Sequence, residues 1–323
     1  MVATVYQEDM FIFPEGKRYN TAAGRYRKIY GERLQKLVLD AGFSCPNRDG
    51  TLGTGGCTYC DNAAFHPGYS IPGKTLFQQI DEGIWFHHRR YPKVRHYLAY
   101  FQAYSNTYGP LERLKGLYEE ALSHPSVAGL VIGTRPDCID EAKLDYLSKL
   151  AEKKVVVLEY GIESCYDATL LRINRGHDFE CARRAVEMTA ERGIDVGAHF
   201  ILGLPGETRE MLMDQCTTIS SLPLTSVKFH QLQIVKGTRM EAEYASHPDE
   251  FLRLGLDDYI DFMVDILERL RPDLYIERIA GEVPPRFVRE TPWGLIRNDG
   301  ILKLLDKRLE ERDTYQGIKY TDP

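Results

Sequence analysis

Six apolar, β-rich runs punctuate the chain: Leu37 to Leu39, His96 to Phe101, Val127 to Ile132, Val155 to Tyr160, Val196 to Leu202 and Val227 to Val235. Between them the apolar period changes. Leu144, Leu147, Leu150 and Ala151, and later Leu212, Cys216 and Ile219, are spaced to line one face of a helix. The stretches between runs are long enough to hold crossover helices, which predicts parallel strands. Repeated right-handed βα units either open into a doubly wound sheet or curl into a barrel, and periodicity does not choose between them. After the sixth run an acidic loop leads into a helix on Leu256, Tyr259, Met263, Ile266, Leu267 and Leu270. A Pro/Gly-rich turn follows, then a last helix on Ile301, Leu304, Leu305 and Leu309. With no low-complexity linker, the pattern predicts one domain with appendages, its extremities packed on the core.

At 323 residues, 43% hydrophobic and 27% charged, usage is that of an ordinary globular chain and excludes disorder, collagen and a disulfide scaffold. No apolar run approaches the roughly 20 residues that cross a bilayer. The start, MVATVYQEDMFIFPEG, lacks a basic segment followed by an apolar one, so the chain is read as cytoplasmic with no membrane partner.

Net charge is -6, too acidic for nucleic-acid binding by bulk charge. Its distribution is uneven. Residues 15–36 hold Lys17, Arg18, Arg25, Arg27, Lys28, Arg33 and Lys36 against Glu15 and Glu32, a local +5. Residues 84–97 add Arg89, Arg90, Lys93 and Arg95 with no acid, leaving -15 for the remainder. Tyr19, Tyr26 and Tyr30 interleave the first strip, and HHRRYPKVRHY carries the second. Such mixtures suit phosphate contact with base stacking, although a solvated helix face gives the same pattern. Lys17, Arg18, Arg25, Arg27, Lys28, Arg89, Arg90 and Lys93 are the candidate nucleic-acid contacts.

Seven cysteines in a reducing compartment argue for metal binding over disulfides. Three of them stand in CPNRDGTLGTGGCTYC, where Cys45, Cys57 and Cys60 have the spacing C-x11-C-x2-C just after the first strand. A structural zinc or fully protein-ligated cluster takes four ligands; three leave one metal position for an outside ligand. The intervening glycines suit a loop that wraps closely and offers N–H groups to sulfur. A zinc-dependent RNA-binding module, completed by His66 or a distant cysteine, is the alternative.

These residues resemble the radical S-adenosylmethionine (radical SAM) enzymes, and in particular the YhcC/YtqA (MnmL) type, related to the branch of the Elongator catalytic subunit. The resemblance implies an α/β fold, a partial (β/α)6 TIM-like barrel with N- and C-terminal extensions. The division expected is a basic extension over 1–33, the barrel over 34–236 and a helical extension over 237–323. It implies a 4Fe-4S cluster on Cys45, Cys57 and Cys60, with S-adenosyl-L-methionine (SAM) on the fourth iron and a one-electron reductase or flavodoxin-like donor.

For SAM, the resemblance points to Ala103, Tyr104 and Ser105 near the amino group and Arg175 on the carboxylate with Glu163 beside it. It also puts His199 toward the ribose, and Gly203, Leu204 and Pro205 along adenine, on which Tyr59 packs. Arg135 and Asp137 of TRPDC are expected at the active face. Cys138 and Cys165 are expected near the radical site or as small buried hydrophobes, Cys181 and Cys216 as core. The implied substrate is a tRNA wobble uridine whose 5-carboxymethylaminomethyl group becomes 5-aminomethyl, with His177, His230, Lys236 and Arg278 toward the anticodon. A metabolite or protein substrate is the competing expectation.

Overall fold

The structure, a computed structural model, describes residues 13–322. Helix α1 (Ala22–Tyr30) precedes strand β1 (Gln35–Leu39), and alternation then runs through α2 (Leu76–His88), β2 (Tyr97–Phe101), α3 (Leu111–Ser123), β3 (Val127–Thr134), α4 (Glu141–Ala151) and β4 (Val155–Glu163). It continues with α5 (Asp167–Arg172), α6 (Phe179–Ala190), β5 (Asp195–Leu202), α7 (Arg209–Ser221) and β6 (Ser226–Gln231). The chain closes with α8 (Arg239–Ser246), α9 (Leu256–Arg269), β7 (Tyr275–Arg278) and α10 (Asn298–Glu311).

The strands form one parallel sheet in the order β1 to β7, curled into a half-barrel whose end strands do not pair. All six expected strands are present. Two details differ from the sequence reading: the sixth strand ends at Gln231 rather than Val235, and β7 extends the sheet inside the stretch expected to be helical. β7 is only YIER with Ile276 its one buried residue, too short to announce itself.

Side-chain alternation sorts two cores. The larger lies between the sheet's outer face and the helices, with Phe101, Leu130, Leu158, Phe200 and Phe229 meeting α3, α6, α7 and α9. The smaller lies on the inner face at the N-terminal ends of the strands, where Leu34, Leu98, Val131, Val155 and Val157 receive Tyr26 of α1. Arg25 locks this plug by pairing with Asp195, the first residue of β5, at 2.7 and 2.8 Å, and by lying over the ring of Tyr275. One end of the half-barrel is thus closed by α1. The other end carries the loops that follow each strand, and there helices start on side-chain caps such as Asp140 and Thr208.

Candidate cofactor site

The cysteine loop follows β1 at the open end. Its first turn is fixed by the Arg48 and Asp49 N–H groups donating to the Cys45 carbonyl at 2.8 and 3.1 Å, and Gly56 N–H donates to Asn47 O at 2.7 Å. The far side is pinned by Thr58 N–H to Ile173 O (2.9 Å) and by Arg48 Nη2 to Cys60 O (2.5 Å). All seven cysteines are free, and Cys57 is buried. Burial, with Cys57 and Cys45 nearby, pushes the Cys60 thiol up. Among the described residues no group of three or more His, Cys, Asp or Glu side chains is gathered as for a bound metal ion.

The surroundings suit an anionic, sulfur-rich group. Arg175 donates through Nη1 toward Cys57 Sγ at 3.5 Å and through Nη2 to Gly161 O at 2.5 Å, while Asn47 Nδ2 approaches the same sulfur at 3.8 Å. Glu163 stands 3.9 Å from Arg175. Its backbone is left-handed at φ 75°, where the β4–β5 register shifts; such a bulge re-aims a side chain at a site. A Cβ at Gly161 would sit 2.5 Å from Glu163 Oε1 and 2.9 Å from Arg175 Nη2, so a larger residue there would displace both side-chain ends. Burial alone would lower the Arg175 guanidinium, but Tyr59, Cys57 and Glu163 hold it well above its ordinary value.

Arg135 is clamped by Asp137 at 2.7 and 2.8 Å. Its Nη1, Arg175 Nε and His177 Nε2 are buried without a hydrogen-bond partner. His177 is neutral at pH 7, since burial and the adjacent Arg175 push it down to about 4. Unpaired buried polar atoms are costly unless a ligand satisfies them. With His177 Nδ1 donating to Asp178 O its Nε2 is an acceptor, so the Arg135 and Arg175 donors fit a SAM carboxylate beside a cluster and the His177 acceptor fits a donor group of the same ligand.

The remaining sequence candidates divide. Ser105 is fully buried, accepts from Arg135 N–H at 3.1 Å and donates its own N–H to Ser44 O at 3.3 Å, tying the end of β2 to the cysteine loop. Ala103 is buried beside it, and Tyr104, at φ 61°, is exposed. Tyr59 lies among Cys57, Glu163 and Arg175, its phenol pushed well up chiefly by burial. Gly203, at φ 91°, passes so close to Leu252 O that a Cβ would stand 2.7 Å away, and Leu204 is buried with Leu170 and Ile173. Cys138 lies against Ser105 Oγ at 3.5 Å; Cys165 sits near Glu207, whose carboxyl burial raises to about 7. His66 Nδ1 is 3.7 Å from Asp40, and its Nε2 is buried without a partner.

His199 enters a group that sequence reasoning missed. Its Nε2 lies 2.9 Å from Glu159 Oε2, and Lys36 and Lys228 each reach the same carboxylate at 2.5 Å. Lys36 also pairs with Glu277, and Tyr100 lies under both ammonium groups. The signal was available: Glu159 and Lys228 are charges inside otherwise apolar strand runs. Beside this square a cavity of about 850 Å³ follows the seam between β1 and β7, reaching from Phe86 and His87 to Leu202 and Gly203.

The two basic strips meet. Arg33 lies over the Tyr91 ring at 4.2 Å and Glu32 pairs with His96, so both occupy the end of the half-barrel opposite the cysteine loop. Of the candidate nucleic-acid contacts, Lys17 pairs with Asp306, Arg18 with Asp313 and Arg25 with Asp195; these hold the chain's extremities. Arg27, Lys28, Arg89, Arg90 and Lys93 are exposed, with Arg90 paired to Asp299. No helix among the described residues is long and apolar enough to cross a membrane.

Family models agree with this architecture. The radical SAM superfamily matches residues 50–216 and the radical SAM C-terminal domain residues 224–311. The chain belongs to the radical SAM superfamily of enzymes. Within it, YtqA of Bacillus subtilis is 37% identical over 93% of this chain and 92% of its own length, and YhcC of Escherichia coli K12 is 34% identical over 91% and 93%. A tRNA uridine(34) acetyltransferase of Methanocaldococcus infernus is 30% identical over 38% of this chain and 22% of its own. The structure of Methanocaldococcus infernus Elp3 superposes with a TM-score of 0.66 at 15% identity, over 88% of this chain. The chain spans 64% of that structure, a likeness of fold. Membership in an enzyme superfamily sets aside the zinc-module alternative.

Proposed function

We propose that the chain holds a 4Fe-4S cluster on Cys45, Cys57 and Cys60 and SAM on the loops of the open end, and acts on the C5 arm of a tRNA wobble uridine, converting carboxymethylaminomethyl to aminomethyl. The observation that carries the cofactor reading is the three-cysteine loop facing buried, unpartnered donors of Arg175 and Arg135. When bound, the pair supplies a carbon-centred radical able to take hydrogen from an unactivated carbon.

The chain's own residues do the rest. Arg175 takes the SAM carboxylate and offsets sulfur charge. Glu163 faces the ammonium. Gly203 and Leu204 flank adenine with Tyr59, and the inner plug of Tyr26 closes the far end against water. His199 reaches the cofactor only from its place on Glu159.

The tRNA reading is supported by relatives whose names specify tRNA uridine(34), and by the exposed basic surface of Arg27, Lys28, Arg89 and Lys93. That surface adjoins Phe86 and His87 at one limit of the seam cavity, so RNA held there has a route to the barrel interior. Mass spectrometry tests it. Reconstituted enzyme with SAM and a reductant should remove the carboxymethyl mass from modified tRNA; unchanged tRNA, with 5′-deoxyadenosine formed on a metabolite or protein, overturns it.

A further inference from the structure

The seam cavity carries more positive charge than the fold needs. Lys36, Lys228, Arg253, Arg278 and Arg297 line it against Glu277 and Glu282. Counting Glu159 behind the wall, the balance is still positive. The square of Lys36, Lys228, Glu159 and Glu277 is internally neutral. The surplus therefore resides on the arginines. Arg253 is offset by Glu290 at 3.5 Å, but Arg278, opposite Lys228 in the β6–β7 register, and Arg297 have no carboxylate partner among the described residues.

A buried square of charges is weak as a stabiliser, because desolvation offsets most of its attraction. What it does accomplish is to fix Lys228, only 6% exposed, with its ammonium 2.5 Å from Glu159 and 3.4 Å from the Tyr100 hydroxyl. The rings of Tyr100 and Trp293 and the amides of Gln102 and Gln233 complete a wall suited to a planar, hydrogen-bonding ring.

We propose that this cavity is the substrate's anion subsite, in which Arg278, with Lys228 beside it, receives the carboxylate borne on the C5 arm of the target base. The proposal rests on the tRNA reading for the identity of the arm; the charge and the cavity stand without it. A guanidinium matches a carboxylate bidentately. The other source of such an anion is an RNA phosphate. The depth of Lys228 favours a slender arm over a phosphate flanked by two riboses.

Calorimetric titration of the reconstituted full-length enzyme separates the sources, with 5-carboxymethylaminomethyluridine, 5-aminomethyluridine and uridine 5′-monophosphate as probes. The carboxylate nucleoside should bind on the order of ten- to a hundred-fold more tightly than the aminomethyl one. Arg278→Gln should erase that preference and Arg278→Lys should keep part of it. Exposed and without an ion pair, Arg278 can be changed without unfolding the chain. Equal affinity for the two nucleosides, a preference that survives Arg278→Gln, or equally tight binding of the monophosphate overturns the subsite. If the preference holds while modified tRNA goes unconverted, only the functional reading falls; if Arg278→Gln converts tRNA at the full rate, only the subsite does.

Discussion

Arg175 Nη1 lies 3.5 Å from Cys57 Sγ, joining the connection between α5 and α6 to the cysteine loop after β1 through one charged contact. The same guanidinium is held by Gly161 O and faced by Glu163, with its Nε buried and unpartnered. Its proposed task is to meet the SAM carboxylate beside the cluster. Arg175→Met should lower SAM affinity by about ten- to a hundred-fold, the loss of a charge-assisted pair. Equilibrium dialysis with labelled SAM measures it. Iron content close to wild type, together with unchanged SAM affinity, would remove Arg175 from the site.

The charge square makes a stability prediction. Glu159 is 1% exposed, and its carboxyl is held well below the usual range; burial alone would raise it, but Lys228 and Lys36 outweigh that. Glu159→Ala leaves two buried ammonium groups sharing Glu277 and should cost about 3–5 kcal/mol in urea unfolding. Adding Lys228→Met to that variant should restore part of the loss, because a smaller uncompensated charge remains. Additive losses would show that the two side chains do not interact.

Glu207 gives the account a pH signature. Burial lifts its carboxyl from 4.5 to about 7, although Ser164 donates to it at 2.5 Å. Below the unfolded value both states are protonated and nothing is lost. Between 4.5 and about 7 the unfolded chain ionises first, so stability falls as pH rises; above that the deficit is constant. The shift corresponds to about 3 kcal/mol. Glu207→Gln should match wild type near pH 4 and exceed it at pH 8 by an amount of that order. Parallel unfolding curves at both pH values would contradict the assignment.

The basic surface is tested by salt. Charge reversal at Arg27, Lys28, Arg89 and Lys93, all exposed, should weaken tRNA binding and flatten the dependence of log affinity on log salt by about one unit for each phosphate contact removed. Arg25→Ala should instead destabilise the fold, because its guanidinium anchors α1 to Asp195. An unchanged salt slope after the four reversals would leave RNA without a binding surface there.

How far these features were legible depended on where their physics lies in the chain. The cysteine loop and the strand runs were readable because ligand spacing and apolar period are local properties. β7 was hidden because four residues with one buried side chain carry no period. The fate of Arg25 depends on Asp195, and that of His199 on Glu159; each partner lies on another element, so both groups read as site candidates. Lys36, Glu159, Lys228 and Glu277 come from four strands, and only the curl of the sheet assembles them.

The central claim, that Cys45, Cys57 and Cys60 leave one iron of a cluster open to SAM, is tested most directly by electron paramagnetic resonance of oxygen-free, reduced protein with and without SAM. The expected result is a single 4Fe-4S signal whose g values move when SAM is added, and which is lost in Cys57→Ala. A signal indifferent to SAM, or protein that binds no iron after reconstitution, would contradict it.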